Sequence, residues 1–342
     1  MINYRPFGNL QWLLPKIKNV EKWSICGCIS PEDRSIGVLR ELHKHTLSIK
    51  SNFLIVNDPI SPFSPEITLK VDALKKIATS YDKDIIVNEF SLLYDDHSKI
   101  YDYIHNFIEI SKGDIILDIS CLPKRFFFPF VKFFYKSKSI KNFIVTCTSP
   151  ENYRQEGKLA DNCSPWATLP FFSDLEETQK KDIILLGVGH LPMASLEPIQ
   201  EICASSKLEL FFPFPGHAAS FILAWKFVHE IKRPFDNKKD VRISHISAVD
   251  TSELYDNLIT SIDNGANGIS KAILAPYGPK PFSLAMAILA TNFDVPVFYT
   301  QPRLYYPDYS TGIAIKNGIP VVMAYALVLQ GQRLYGEPIN NA

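Results

Sequence analysis

Residues 114–125 read Asp-Ile-Ile-Leu-Asp-Ile-Ser-Cys-Leu-Pro-Lys-Arg and run on into an apolar stretch from Phe126 to Phe134. Residues 271–281 read Lys-Ala-Ile-Leu-Ala-Pro-Tyr-Gly-Pro-Lys-Pro and lead into a second such stretch, Phe282 to Ala290. Each is a short buried-strand run, a tight turn holding Pro and Lys, and the start of an apolar helix. A helix that opens just after a parallel strand presents free backbone N–H groups and the positive end of its dipole. A Lys beside it completes an anion site. The device occurs twice, which predicts phosphate or carboxylate recognition in two α/β units of one chain.

The same alternation extends outward from both stretches. In the first half, strands are expected at Phe53–Val56, Asp84–Val87, Ile115–Ile119 and Phe143–Thr148. Helices are expected at Ile67–Ser80, Tyr94–Ser111 and Arg125–Tyr135. The first 50 or so residues show only a short helix, Arg34 to His45, with Ser30 as its cap and Pro31 at its first position. In the second half, strands are expected at Ile183–Leu186, Leu208–Phe212, Val241–Ser247, Ala272–Ala275 and Val295–Tyr299. The helices between them are Met193–Ser205, Ala218–Ile231, Ser252–Asn264 and Phe282–Asn292. Continuous apolar strands alternating with helices imply a mainly parallel sheet covered on both faces. The expected fold class is therefore α/β, with two Rossmann-like units in tandem, mainly parallel sheets flanked by helices. The expected divisions are 1–150 with an N-terminal extension, a connector over 151–180, and 181–342 with a C-terminal arm.

The 342 residues carry 36 Lys+Arg against 36 Asp+Glu, and 46% are hydrophobic. Balanced charge argues against direct nucleic-acid binding through bulk positive charge. No run has the length of a membrane span and no signal-peptide pattern opens the chain, so the expectation is a cytoplasmic protein with no membrane partner. Of the cysteines at 26, 28, 121, 147, 163 and 203, only Cys26-Gly-Cys28 is closely spaced. A lone C-x-C predicts reduced, buried thiols and no metal.

Ligands of open parallel sheets bind beyond the carboxyl ends of the strands. The shortlist in the second unit is Gly187, Gly189 and His190; His217; Asp250; Gly278 and Lys280; then Tyr299, Arg303 and Tyr305. Glycines allow close approach, Lys and Arg meet oxygens, and tyrosines stack on a ring. Each also has a structural alternative: Gly187 and Gly189 in a strand-to-helix turn, the histidines as loop hydrogen-bonders, and the 305–309 tyrosines in a packed arm or dimer contact. Asp118, Ser120 and Lys124 hold the corresponding places in the first unit. A Lys at a helix N-terminus opposes the dipole unless something negative is bound there, which favours an anion role for Lys280.

Strand, Gly, one residue, Lys, then a helix of small and apolar residues resembles the ligand-binding corner of CRISPR-associated Rossmann-fold sensor domains. The residues that carry the resemblance are Gly278-Pro279-Lys280 leading into Ser283–Ala287, and Ser120 to Arg125. It implies a nucleotide ligand, of the cyclic oligonucleotide class used in prokaryotic antiviral defence. Pro279 stands where such motifs usually carry Thr or Ser, which removes one hydroxyl and one N–H from the phosphate.

Enzymatic templates are sparse. There is no Gly-x-Ser-x-Gly elbow, Walker loop or His-Glu-x-x-His, and no motif calls for a cofactor. Arg40 to His45 has the spacing of an Arg-x4-His ribonuclease pattern without its helical context, and Glu230-Ile231-Lys232 lacks an acidic partner. Two alternatives stand beside small-ligand binding. One is hydrolysis or glycosyl transfer on a nucleotide, with His190, His217 and Asp250 as acid–base groups. The other is a scaffold subunit of a larger complex, joined through the 301–312 arm.

Overall fold

The computed structural model describes residues 4–44, 49–94, 96–154, 159–163, 166–173, 181–189, 206–215, 218–232 and 241–336. They form two compact units: Met1–Ala160 together with Arg303–Ala342, and Asp161–Pro302.

The first unit is built around a strand over Trp23–Ile29 that is buried at every position. On one side it pairs in parallel with Ile49–Asn57, which in turn pairs with Ile86–Ser91. On the other side lie Asp114–Asp118 and then Asn142–Thr148, also parallel. Taken in chain order these five strands run 3-2-1-4-5 across the sheet. Val322–Leu329 then adds antiparallel to Asn142–Thr148, and Phe7–Asn9 closes that edge. Burial on both faces explains the absence of polar alternation in these strands. One face is covered by Gly37–Lys44 and Ser64–Tyr81, whose Leu39, Leu42, Val71 and Leu74 pack on Ile25, Phe53, Ile116 and Ile144. On His97–Ser111 and Lys124–Lys136, rings pack edge to face or tilted: Phe107 on Phe134, and Phe134 on Phe143, each with centroids 5.5 Å apart.

The second unit is a smaller version of the same plan. Ile183–Gly187 lies centrally, with Lys207–Pro213 and then Val241–Ile246 on one side and Ala272–Pro276 on the other, all parallel. A parallel bridge from Leu274 to Val297 marks the fifth position. The order is again 3-2-1-4-5, so the chain carries the same topology twice. The repeated sequence device occupies equivalent places: Lys124–Lys136 and Lys280–Phe293 each join the fourth strand to the fifth. Each is preceded by a Pro with extended backbone, Pro123 (ψ 151°) and Pro279 (ψ 165°), and each has Lys as its first residue.

The α/β class and the parallel sheets are as expected, and the divisions differ in two respects. The stretch taken as an N-terminal extension supplies the central strand of the first sheet. The C-terminal arm, assigned to the second unit, belongs to the first, because Val322–Leu329 is the antiparallel neighbour of its fifth strand. The expected helix over Arg34–His45 resolves into a 3-10 turn at Asp33–Ile36 and a helix over Gly37–Lys44, with Ser30 Oγ accepting from the Glu32 amide at 3.2 Å. The expected helix Met193–Ser205, His45 and parts of the 151–180 connector lie outside the described residues.

Candidate functional site

In the second unit the strand order reverses between Ile183–Gly187 and Ala272–Pro276. The loops leaving these strands meet at this topological switch point, the place where open α/β sheets receive ligands. The two loops are Gly187-Val188-Gly189 and Tyr277-Gly278-Pro279-Lys280. Their glycines are dictated by contact between the two backbones. A Cβ on Gly189 would lie 1.7 Å from the Tyr277 carbonyl oxygen, and one on Gly187 would lie 3.2 Å from the Gly278 nitrogen. A Cβ on Gly278 would meet the Phe282 ring at 3.0 Å. The close approach expected of these glycines is thus chain against chain.

Lys280 opens the 14-residue helix Lys280–Phe293, which carries no acidic residue in its first turn. Ser283 ties the turn down, its N–H donating to the Pro279 carbonyl at 3.0 Å. Beside it, the Tyr277 and Tyr299 rings stack at a tilt, with centroids 5.2 Å apart. The Tyr277 hydroxyl lies 2.9 Å from Thr300 Oγ1 and accepts from the Thr300 amide at 3.1 Å. Gly187, Gly189, Gly278, Lys280 and Tyr299 therefore gather at the ends of these strands, and Tyr277 joins them although the sequence did not single it out. Asp250 sits at a strand end as expected, but its Oδ1 accepts from the amides of Ser252 (2.9 Å) and Glu253 (3.0 Å), the work of a helix N-cap. His190 and His217 lie outside the described residues.

The first unit's switch point lies between Trp23–Ile29 and Asp114–Asp118, and the chain fills it itself. Arg34, only 5% exposed, makes two charge-assisted bonds to Glu32 Oε2, at 2.9 Å from Nε and 2.8 Å from a terminal nitrogen. Its guanidinium carbon stands 5.8 Å from the centre of the Tyr153 ring and 6.0 Å from that of Tyr309. Residues 303–312 lie along the strand ends. The Ser310 hydroxyl donates to Glu32, the Gly312 amide to Asp33 at 2.8 Å, and the Tyr305 amide to Asp58 at 3.1 Å. Lys70 donates to the Pro307 carbonyl, and Arg154 pairs with Asp308 at 2.7 Å. Arg303 and Tyr305, expected to serve a ligand with Lys280, belong to this first unit.

Asp118 and Ser120 are fully buried. Asp118 Oδ1 accepts from the hydroxyls of Ser120 (2.6 Å) and Thr146 (3.1 Å), while Ser120 Oγ accepts from the Thr148 amide at 2.7 Å. These bonds point inward and lock the fourth strand to the fifth. Lys124 keeps its place at the helix start. Against the expectation of a second anion site, Glu32, Asp33, Asp58 and Asp118 crowd this edge with acceptors, which repel an anion; the chain's own donors meet one oxygen of each, and Asp118 Oδ2 is buried with no hydrogen-bond partner among the described residues. Asp58 follows the expected strand Phe53–Val56 but was not singled out, whereas Glu32 and Arg34 escaped notice because Trp23–Ile29 was not read as a strand. Once it is, Ser30-Pro-Glu-Asp-Arg34 falls at a strand end and enters the same shortlist.

Burial pushes the Asp118 carboxyl up to about 6, against the hydrogen bonds from Ser120 and Thr146 and the Arg34 charge, which pull it down. Burial likewise pushes Asp58 up to about 6, opposed by the Tyr305 amide. A carboxyl whose value rises on folding stabilises the fold below its unfolded value near 3.8, and this contribution is lost as pH rises through about 6. For Asp118 a displacement from 3.8 to about 6 corresponds to roughly 3 kcal/mol between the two ends of that window. Asp118→Asn, which keeps an acceptor and removes the buried charge, is expected to flatten the rise in melting temperature between pH 8 and pH 5. A variant with the wild-type pH profile would show that Asp118 does not titrate in this window.

Among the described residues no helix is long and apolar enough to cross a membrane, and no group of three or more His, Cys, Asp and Glu side chains is placed to hold a metal ion. No protein-family model and no curated relative matches the chain. Similar solved structures include the cytoplasmic domain of a prokaryotic cation chloride cotransporter, at 6% identity over 82% of this chain and 95% of that one, with a TM-score of 0.23. A putative universal stress protein from Pseudomonas aeruginosa UCBPP-PA14 matches at 12% identity, 82% and 93% coverage and a TM-score of 0.23. A universal stress protein from Archaeoglobus fulgidus DSM 4304 matches at 10% identity, 82% and 96% coverage and a TM-score of 0.23. Likeness at this level carries no assignment, so function has to be argued from the site.

Proposed function

We propose that the chain binds a nucleotide or nucleotide-derived ligand at the strand ends of its second unit. One observation carries the reading. At the switch point between Ile183–Gly187 and Ala272–Pro276, a helix opens with Lys as its first residue and no acid in its first turn, after a turn anchored by the buried, tilted pair Tyr277 and Tyr299. Lys280 and the helix N-terminus supply positive potential for a phosphate. Tyr277, buried against Tyr299 and bonded to Thr300, anchors the turn that carries Lys280. The switch point of the first unit is acidic and occupied by the chain itself, which leaves the second unit as the place for an anion. The resemblance of Gly278-Pro279-Lys280 to antiviral sensor domains makes cyclic oligonucleotides one ligand class to test, with mono- and dinucleotides as the others.

Lys280→Ala is expected to weaken nucleotide binding roughly 10- to 100-fold, the loss of one charge-assisted hydrogen bond, with little change in stability. Titration calorimetry on both proteins checks this. Equal affinities would remove Lys280 from the site, and the anion reading with it.

A further inference from the structure

We propose that residues 303–312 are a latch, which detaches from the strand ends of the first unit while the sheet beneath stays folded and uncovers the crevice around Arg34. The fastenings are polar bonds, Tyr305 to Asp58, Ser310 to Glu32, Gly312 to Asp33, Pro307 to Lys70 and Asp308 to Arg154, together with ring contacts of Tyr306 on Phe63 and Tyr309 on Tyr153. A two-residue ladder pairs Ser310 with Tyr153 and Thr311 with Asn152. Along the segment only Pro307 and Ser310 are buried; Arg303, Asp308 and Thr311 are exposed and the rest are half-buried. The strands below hold Ile115, Ile116, Leu117, Phe143 and Ile144 at 0% exposure. Segments with little buried apolar surface open at far lower free energy than the core they cover.

The anchors downstream keep such an opening local. The Ala314 amide donates to the Ser149 carbonyl at 2.9 Å, and Val322–Leu329 is held inside the sheet. What lies beside the latch is unusual for a purely structural contact: the buried Arg34 guanidinium, the exposed Tyr153 ring, and the half-buried thiols of Cys121 and Cys147, both within electrostatic range of Arg34. Cys121 is also within range of the Tyr309 hydroxyl, on the latch itself. These groups stand at the switch point, where open α/β sheets receive ligands.

Hydrogen exchange on the full chain, read by mass spectrometry, tests the proposal together with alkylation of cysteines by iodoacetamide. Residues 303–312 should exchange well ahead of the Asp114–Asp118 and Asn142–Thr148 strands. Combining Asp33→Ala with Asp58→Ala removes two acceptors and should speed exchange of the segment about tenfold or more, with the strands unchanged. In the same variant Cys121 and Cys147 should gain alkylation, while Cys26 and Cys28, in the central strand, stay protected. If all four cysteines react together, the variant has unfolded, and Ser310→Ala carries the same comparison. A single exchange rate shared by segment and strands overturns the latch. So does faster exchange of 303–312 with no gain at Cys121 and Cys147.

Discussion

Gly189→Ala is expected to destabilise the second unit by about 2–3 kcal/mol, the upper part of the usual range for overpacking, and to abolish ligand binding. The added methyl would stand 1.7 Å from the Tyr277 carbonyl oxygen, which is backbone and cannot swing aside. The strand-end loops would have to part by more than an ångström, displacing Tyr277 and with it the Pro279-Lys280 turn. Gly187→Ala provides the graded comparison: its methyl would meet the Gly278 nitrogen at 3.2 Å, a contact relieved by a few tenths of an ångström. Its effect should be clearly smaller. Gly336, where a Cβ meets nothing within 4 Å, should accept Ala without measurable loss. Urea unfolding of the three variants checks the order. Gly189→Ala with wild-type stability and binding would mean that the two loops do not touch as described.

Arg34→Ala should cost about 3–5 kcal/mol, the range found when one member of a buried ion pair is removed. Glu32 would remain, its side chain 13% exposed, with the Ser310 hydroxyl as its donor and no cation. The lost guanidinium would also leave the Tyr153 and Tyr309 faces without their partner. The cost arises mainly from the stranded carboxylate, so adding Glu32→Gln should recover much of it. A loss below about 1 kcal/mol in Arg34→Ala would instead match a solvent-screened surface pair. Chemical denaturation of the single and double variants separates the two cases.

Much of the fold was legible because its strands are buried on both faces. Ile183–Gly187 and Ala272–Pro276 show no polar alternation and are bounded by Gly or Pro, and both were placed within a residue or two. Trp23–Ile29 escaped because its centre is Gly27, a residue depleted in strands. Gly27 is nonetheless required, since a Cβ there would lie 2.8 Å from the Phe53 ring across the sheet. Val322–Leu329 escaped for a different reason. Val-Met-Ala-Tyr-Ala-Leu-Val-Leu suits a buried helix as well as a strand, and its partner Asn142–Thr148 lies far away in sequence. That pairing also carries 303–312 onto the first unit, which is why Arg303 and Tyr305 were assigned to the wrong strand ends. The local device at Gly278-Pro279-Lys280 was readable, because a helix start is encoded by neighbouring residues. The Arg34 cluster was not, because it assembles from segments near residues 32, 118, 153 and 309.

The most direct test of the central claim is titration calorimetry of wild-type protein and Lys280→Ala against mono-, di- and cyclic oligonucleotides. Binding of at least one class to the wild type, weakened roughly 10- to 100-fold in the variant, is the predicted result. No heat with any nucleotide, or the same affinity for both proteins, would contradict it.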